Sequence, residues 1–178
     1  MPYAFGHLFG AWAAGKVFER SFHRRISRTG WGLLLLGGIL PDIDHIIDWT
    51  TGLEIHRTIT HSIFFAIICW IIVYVVLKIW NSSSVKSSID PLTAYAIFAG
   101  ILIHITLDIL TSGYGTNILY PFPVWLSLSG FSISRSAVPF LSGMPYDSLL
   151  VSMKAAILDM GIGVSWISYL FLTRRIRF

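Results

Sequence analysis

At 178 residues, with 54% hydrophobic and 12% charged side chains and a mean hydropathy of +0.70, the chain is far from a soluble domain, where roughly a quarter of residues are charged. The length suits one membrane-embedded domain over 1–178. The net charge of +4 comes from basic residues in short loops between apolar runs, so it reads as a topology signal, and no nucleic-acid partner is expected.

Residues 3–19 mix small and aromatic side chains around His7 and predict a first, short helix. The opening MPYAFGHLFG lacks a basic stretch and a cleavage site, so no removable signal peptide is expected. A second short helix is predicted over 30–40, GWGLLLLGGIL, stopping at Pro41. At about 1.5 Å per residue it falls short of the roughly 30 Å hydrocarbon core. The motif after it, LPDIDH, would then lie below the membrane surface. Residues 59–80 are apolar enough to span, with Lys78 able to snorkel at the end. The lone cysteine, Cys69, sits inside this run as a small core residue. A further span over 91–110 begins at Pro91 and carries His104 and Asp108 near its other end. The last, over 148–172, is closed by TRRIRF and holds Asp159 near its middle, with Lys154 as a candidate partner. The fold class is therefore all-α: an integral-membrane bundle of about five helices, two of them short.

Between the last two spans, residues 111–147 form a loop too long for a mere connector. It holds Pro121, Pro123, Pro139 and Pro145 with Tyr114, Tyr120, Phe122, Trp125, Phe131 and Phe140. That density suits a segment in the headgroup region, either a cap over the bundle or a substrate-facing lid. Basic residues set the threading. Lys16, Arg20, Arg24, Arg25 and Arg28 lie between helices one and two, Lys78 and Lys86 between three and four, and Arg174, Arg175 and Arg177 after helix five. Alternating spans put all three groups on one side, expected to be cytoplasmic, with the C-terminus, in the plasma (inner) membrane. Loops 41–58 and 111–147 then share the non-cytoplasmic face.

Five of the six histidines, His7, His45, His56, His61 and His104, fall in that non-cytoplasmic half. Asp42, Asp44, Asp48, Glu54 and Asp108 accompany them. His104 and Asp108 are four apart on a helix and share one face. Imidazole with carboxylate is the ligand set of zinc and other catalytic divalent metals. These groups exceed the needs of one four-coordinate ion, which points to two or more ions and to phosphoester hydrolysis. Arg57 is placed to clamp a phosphate or to pair with Asp48 or Glu54. Thr60 and Ser62 are placed to orient ligands or to cap a helix.

GGILPDIDH, HRTITHS and HITLDILTSGYG, in that order, resemble the three signatures of the YdjM-type membrane-bound metal-dependent hydrolases, and His7 matches the family's early histidine. The resemblance covers positions 7 to about 122. It implies metal ligands at His7, Asp42, Asp44, His45, His56, His61, His104 and Asp108. The His-x-x-x-Asp element is also distantly similar to zinc-dependent phospholipase C and the S1/P1 nucleases, which implies a helical multi-zinc site. Residues and resemblance together lead to a metal-dependent, zinc-type phosphoester hydrolase acting on a lipid or lipid-linked substrate at the non-cytoplasmic face. Arg57 and either Asp42 or Asp44, taken as Asp44, would serve catalysis directly. The rivals are an ion, proton or metal transporter using the same cluster, which needs polar groups in both membrane halves, and a scaffold with a structural metal.

Overall fold

The computed structural model describes residues 4–52, 56–83, 89–111, 115–127, 130–132 and 146–173. Helix dominates: α1 (Ala4–Phe22), α2 (Arg28–Ile39), α3 (Asp44–Thr51), α4 (Ile63–Ser83), α5 (Tyr95–Thr111) and α6 (Tyr146–Leu172). The expectations for Glu54, Lys86, Tyr114, Pro139, Phe140, Pro145, Arg174, Arg175 and Arg177 lie outside the described residues.

The five expected helical segments are present, but the second is not short. Ser27 caps α2 by accepting a 3.0 Å hydrogen bond from the Gly30 N–H. At the far end the chain does not stop at Pro41. It tightens into a 3-10 turn, Leu40–Ile43, and re-enters α-helix as α3. Proline opens that turn at a position where no N–H is required. Arg28–Asp48 is thus 21 residues long and apolar enough to cross a membrane by length and composition. LPDIDH lies inside this segment rather than beyond its end. Two other segments meet the same standard, Ile63–Ser82 and Pro91–Thr111, while α6 contributes a shorter apolar stretch, Ala156–Leu172. The expected span over 59–80 begins later, because His56–Ser62 form turns and Ser62 Oγ caps α4 by accepting from the Phe65 N–H at 3.1 Å.

Packing centres on α2 against α5. Ile97, Ile101 and Ile105 recur at four-residue spacing on α5 and bury with Ala66 of α4, with Cys69 and Val73 packed beside them. Ala11, Trp31 and Leu34 form a second buried cluster between α1 and α2. By contrast α4 leaves Ile68, Ile71, Ile72, Val75, Val76 and Ile79 exposed, as a helix facing lipid does. The aromatic loop is not wholly irregular. β1 (Thr116–Asn117), β2 (Trp125–Ser127) and β3 (Gly130–Ser132) form a small antiparallel sheet in that order, with Thr116 opposite Leu126 and Leu126 opposite Phe131. Tyr120 and Phe122 are exposed between β1 and β2.

Candidate metal centre

Three parts of the chain meet where α2 gives way to α3. His104 and Asp108 point inward from α5, because they continue the buried face that carries Ile97, Ile101 and Ile105. His7 comes from the first turns of α1, and its ring stacks on His104 with centroids 3.7 Å apart. His56, Arg57 and His61 come from the turns before α4. Those turns are pinned at their start. The His56 N–H donates to Asp48 Oδ2 at 3.1 Å, and the Asn117 N–H of β1 donates to the Arg57 carbonyl at 3.1 Å. Arg57 itself is held at φ 66°, a left-handed conformation that costs a non-glycine residue roughly 1 kcal/mol or more.

Asp44 organises one wall. Its Oδ1 lies 2.8 Å from His56 Nδ1, and its Oδ2 accepts from the Thr60 hydroxyl at 2.6 Å and the Arg57 N–H at 3.2 Å, with His61 Nδ1 also 3.2 Å away. A carboxylate only accepts, so His56 must carry its proton on Nδ1. Thr60 gives its own proton to Asp44, so His61 Nδ1, 3.0 Å from Thr60 Oγ1, is a donor as well. His104 Nδ1 lies 2.8 Å from the Gly38 carbonyl oxygen, again only an acceptor. Three imidazoles thereby carry a proton on the outward Nδ1 and turn Nε2 inward; in the neutral ring that leaves Nε2 free for a metal, the arrangement that partners outside the ligand shell impose on metal-binding histidines.

Those lone pairs converge. His61 Nε2 and His104 Nε2 are 3.1 Å apart, His61 Nε2 is 3.3 Å from Asp108 Oδ2, and His104 Nε2 is 3.5 Å from Asp42 Oδ1. Two facing lone pairs repel unless positive charge offsets them, supplied by a proton on one ring or by metal ions at the rings. Ligand atoms about 2.0–2.1 Å from a tetrahedral zinc are roughly 3.3 Å from one another, and these separations bracket that value. The residues fit a metal. Asp108 supports the same conclusion: it is buried, yet neither oxygen makes a hydrogen bond, and its neighbours are His7 Nε2 at 3.4 Å and Arg57 Nη2 at 3.5 Å. His56 Nε2 and His7 Nδ1 are likewise buried without a hydrogen bond.

Three groups have donor atoms close enough to share an ion: His7, Asp42 and His104; Asp42, His56 and His61; His61, His104 and Asp108. Six of the eight expected ligands thus come together. The other two stand beside them. Asp44 has its oxygens taken by His56, His61, Thr60 and Arg57, and His45 stacks on His56 at 3.7 Å between centroids. Arg57 Nη2 lies 3.5 Å from Asp108 Oδ2, and Glu54, considered as its partner from the sequence, lies outside the described residues.

The whole-chain pattern decides the family. The model for the YdjM inner membrane protein family matches residues 1–176. This chain belongs to that family. No curated protein and no solved structure matches the YdjM-family chain described here. Family membership and the three candidate spans agree on an inner-membrane protein. The clustered histidines and aspartates of this family member can hold a metal ion.

Sequence spacing carries no sign of the Gly38 carbonyl, a backbone group that sets the His104 tautomer. It also gives no sign of Thr116 and Asn117, which are buried in β1 with Thr116 Oγ1 and Asn117 Oδ1 lacking hydrogen bonds. Thr60 was readable as an orienting residue, and it holds Asp44, whereas Ser62 took the capping role.

Proposed function

We propose that the protein is a membrane-bound, metal-dependent phosphoester hydrolase whose centre holds two zinc-like ions and takes a lipid or lipid-linked substrate at the non-cytoplasmic face. The observation that carries this reading is that Asp42 has an oxygen close enough to share an ion with His56 and His61 on one side and with His7 and His104 on the other. A neutral imidazole offers one lone pair to one ion, whereas a carboxylate can bridge two. Asp42, His56 and His61 would then hold one ion and His7, Asp42 and His104 the other, with Asp108 against both histidine sets.

Bound divalent ions supply an activated water and neutralise charge on the phosphoryl oxygens. The chain does the rest. Asp42, with its side chain 24% exposed, is the carboxylate a substrate water can reach, and Asp44, saturated and buried, keeps His56 and His61 in register. The Arg57 guanidinium, held beside Asp108, is placed to bind a phosphoryl oxygen as the ester is cleaved. Ile43, Ile46 and Ile47 are exposed next to Asp42, an apolar rim suited to acyl chains rather than to a water-soluble ester. The transport reading loses its one polar group deep in α6, because Asp159 is engaged by the backbone of α1.

Elemental analysis of gently purified protein should find about two ions per chain, with turnover of phospholipid or generic phosphodiester that chelation abolishes and zinc restores. Asp108→Asn, replacing an anionic oxygen with a neutral amide, should lower both metal content and turnover. Folded protein that takes no metal, or Asp108→Asn with full metal and full turnover, would defeat the reading. Threading has its own test. In a Cys69→Ala background, a cysteine at Thr51 should react with an impermeant thiol reagent from outside the cell, and one at Ser82 should not. The reverse labelling pattern inverts the orientation.

A further inference from the structure

Asp159 stands on α6, well away in sequence from every group of the metal centre. It is buried, at 4% exposure, and both oxygens are engaged. Oδ1 accepts from the Gly6 N–H at 2.6 Å and Oδ2 from the Phe5 N–H at 3.1 Å. These are first-turn amides of α1, which have no partner within their own helix and carry the positive end of its dipole. Lys154, the partner considered from the sequence, is exposed. One turn further along α6, Gly163 lies against Phe5 so closely that a Cβ there would overlap the Phe5 ring. Trp166 continues the seam against Phe9 and Trp12 of α1, with centroids 6.2 and 5.7 Å apart. The residue that follows the two clamped amides is His7.

We propose that Asp159 is a positioning residue for the metal centre: by capping α1 from α6, it holds His7 against His104 and Asp108, so that α6 sets the affinity of the ion shared by His7, Asp42 and His104. The proposal rests on the two-ion reading above. His7 reaches its place from the first turns of α1, so any shift of those turns moves the imidazole directly. Its stacking on His104 and its 3.4 Å approach to Asp108 leave little slack. The other ion's ligands, Asp42, His56 and His61, are held by Asp44 and by the turns before α4, which do not depend on α6.

The test is a titration of zinc, and of cobalt(II) followed by its absorption, onto chelator-stripped full-length protein in detergent. Wild type should bind two ions. Asp159→Ala should keep one ion at wild-type affinity and bind the other about 10–100-fold more weakly, the usual cost of losing a group that supports a ligand. Asp159→Asn, which retains one acceptor oxygen, should fall between. Gly163→Ala keeps the Asp159 carboxylate but displaces Phe5, and should weaken the same ion; it carries the test if Asp159→Ala does not fold. His7→Ala should weaken that ion too, and adding Asp159→Ala to it should cost nothing more, because the two act through one element. Wild-type affinity for both ions in folded Asp159→Ala and Gly163→Ala, or equal weakening of both ions, overturns the proposal. A wild-type protein that binds no ion overturns the reading of the centre itself, and this proposal with it.

Discussion

Asp42→Asn is expected to leave the helices folded and to strip both ions, with phosphoester turnover falling roughly a thousandfold, the scale of losing a group that stabilises transition-state charge. Asp42 belongs to two of the three groups able to share an ion, so one substitution touches both halves of the centre. Its side chain is partly exposed, so an isosteric amide there should cost little stability. Asp44→Asn, two residues away, should behave differently. An amide nitrogen would face the Thr60 hydroxyl, the Arg57 N–H and His61 Nδ1, all of them donors toward Asp44, or else His56 Nδ1. The histidines lose their fixed tautomers, and metal affinity should fall about 10–100-fold while saturating stoichiometry stays at two. Metal titration with turnover at saturating zinc separates the two variants. If Asp44→Asn empties the centre irreversibly and Asp42→Asn does not, the roles given to the two carboxylates are exchanged.

The pair Asp42 and Asp44 also marks how far the sequence could be read. LPDIDH places two carboxylates and an imidazole within four positions, and that density alone flags a site. Which of the three joins the cluster able to hold a metal depends on the change from a 3-10 turn to α-helix between Ile43 and Asp44, a backbone detail with no signature in composition. It turns Asp44 toward His56 and His61 and leaves His45 stacked outside. The same junction explains the one misjudged helix. A proline usually ends a helical pattern, but Pro41 opens a turn flanked by helix on both sides, so the segment is long where a stop at Pro41 would make it short. His104 and Asp108 were legible because a four-residue step is a fixed geometric relation on a helix. His7 was legible as one of the histidines in the non-cytoplasmic half, while its match to a ligand position came from the family resemblance. The partner of Asp159 was beyond reach, because nothing local tells a residue on α6 that the start of α1, more than 150 positions earlier, lies beside it.

Gly100→Ala is expected to cost on the order of 3 kcal/mol of stability, the upper range for overpacking, and to disable the centre as well. A Cβ at Gly100 of α5 would overlap the Leu34 carbonyl oxygen of α2 and come within 2.9 Å of Gly37 Cα. A Cβ at Gly37 would in turn overlap the Ile97 carbonyl oxygen. Backbone stands on both sides of this contact, so no side chain can rotate away and the helices must move apart. Separation breaks more than packing. The Gly38 carbonyl, next to Gly37, fixes the His104 ring through Nδ1, and His104 sits one turn beyond Gly100 on the same helix. Moving α2 from α5 therefore releases the tautomer that aims Nε2 at His61. Gly32→Ala is the matched control, on α2 but with nothing within 4 Å of its Cβ, and should lose neither stability nor metal. Thermal unfolding in one detergent, with metal content measured on the folded fraction, reads both effects. Wild-type unfolding temperature and full metal content in Gly100→Ala would mean that the close approach of α2 and α5 does not hold the centre together.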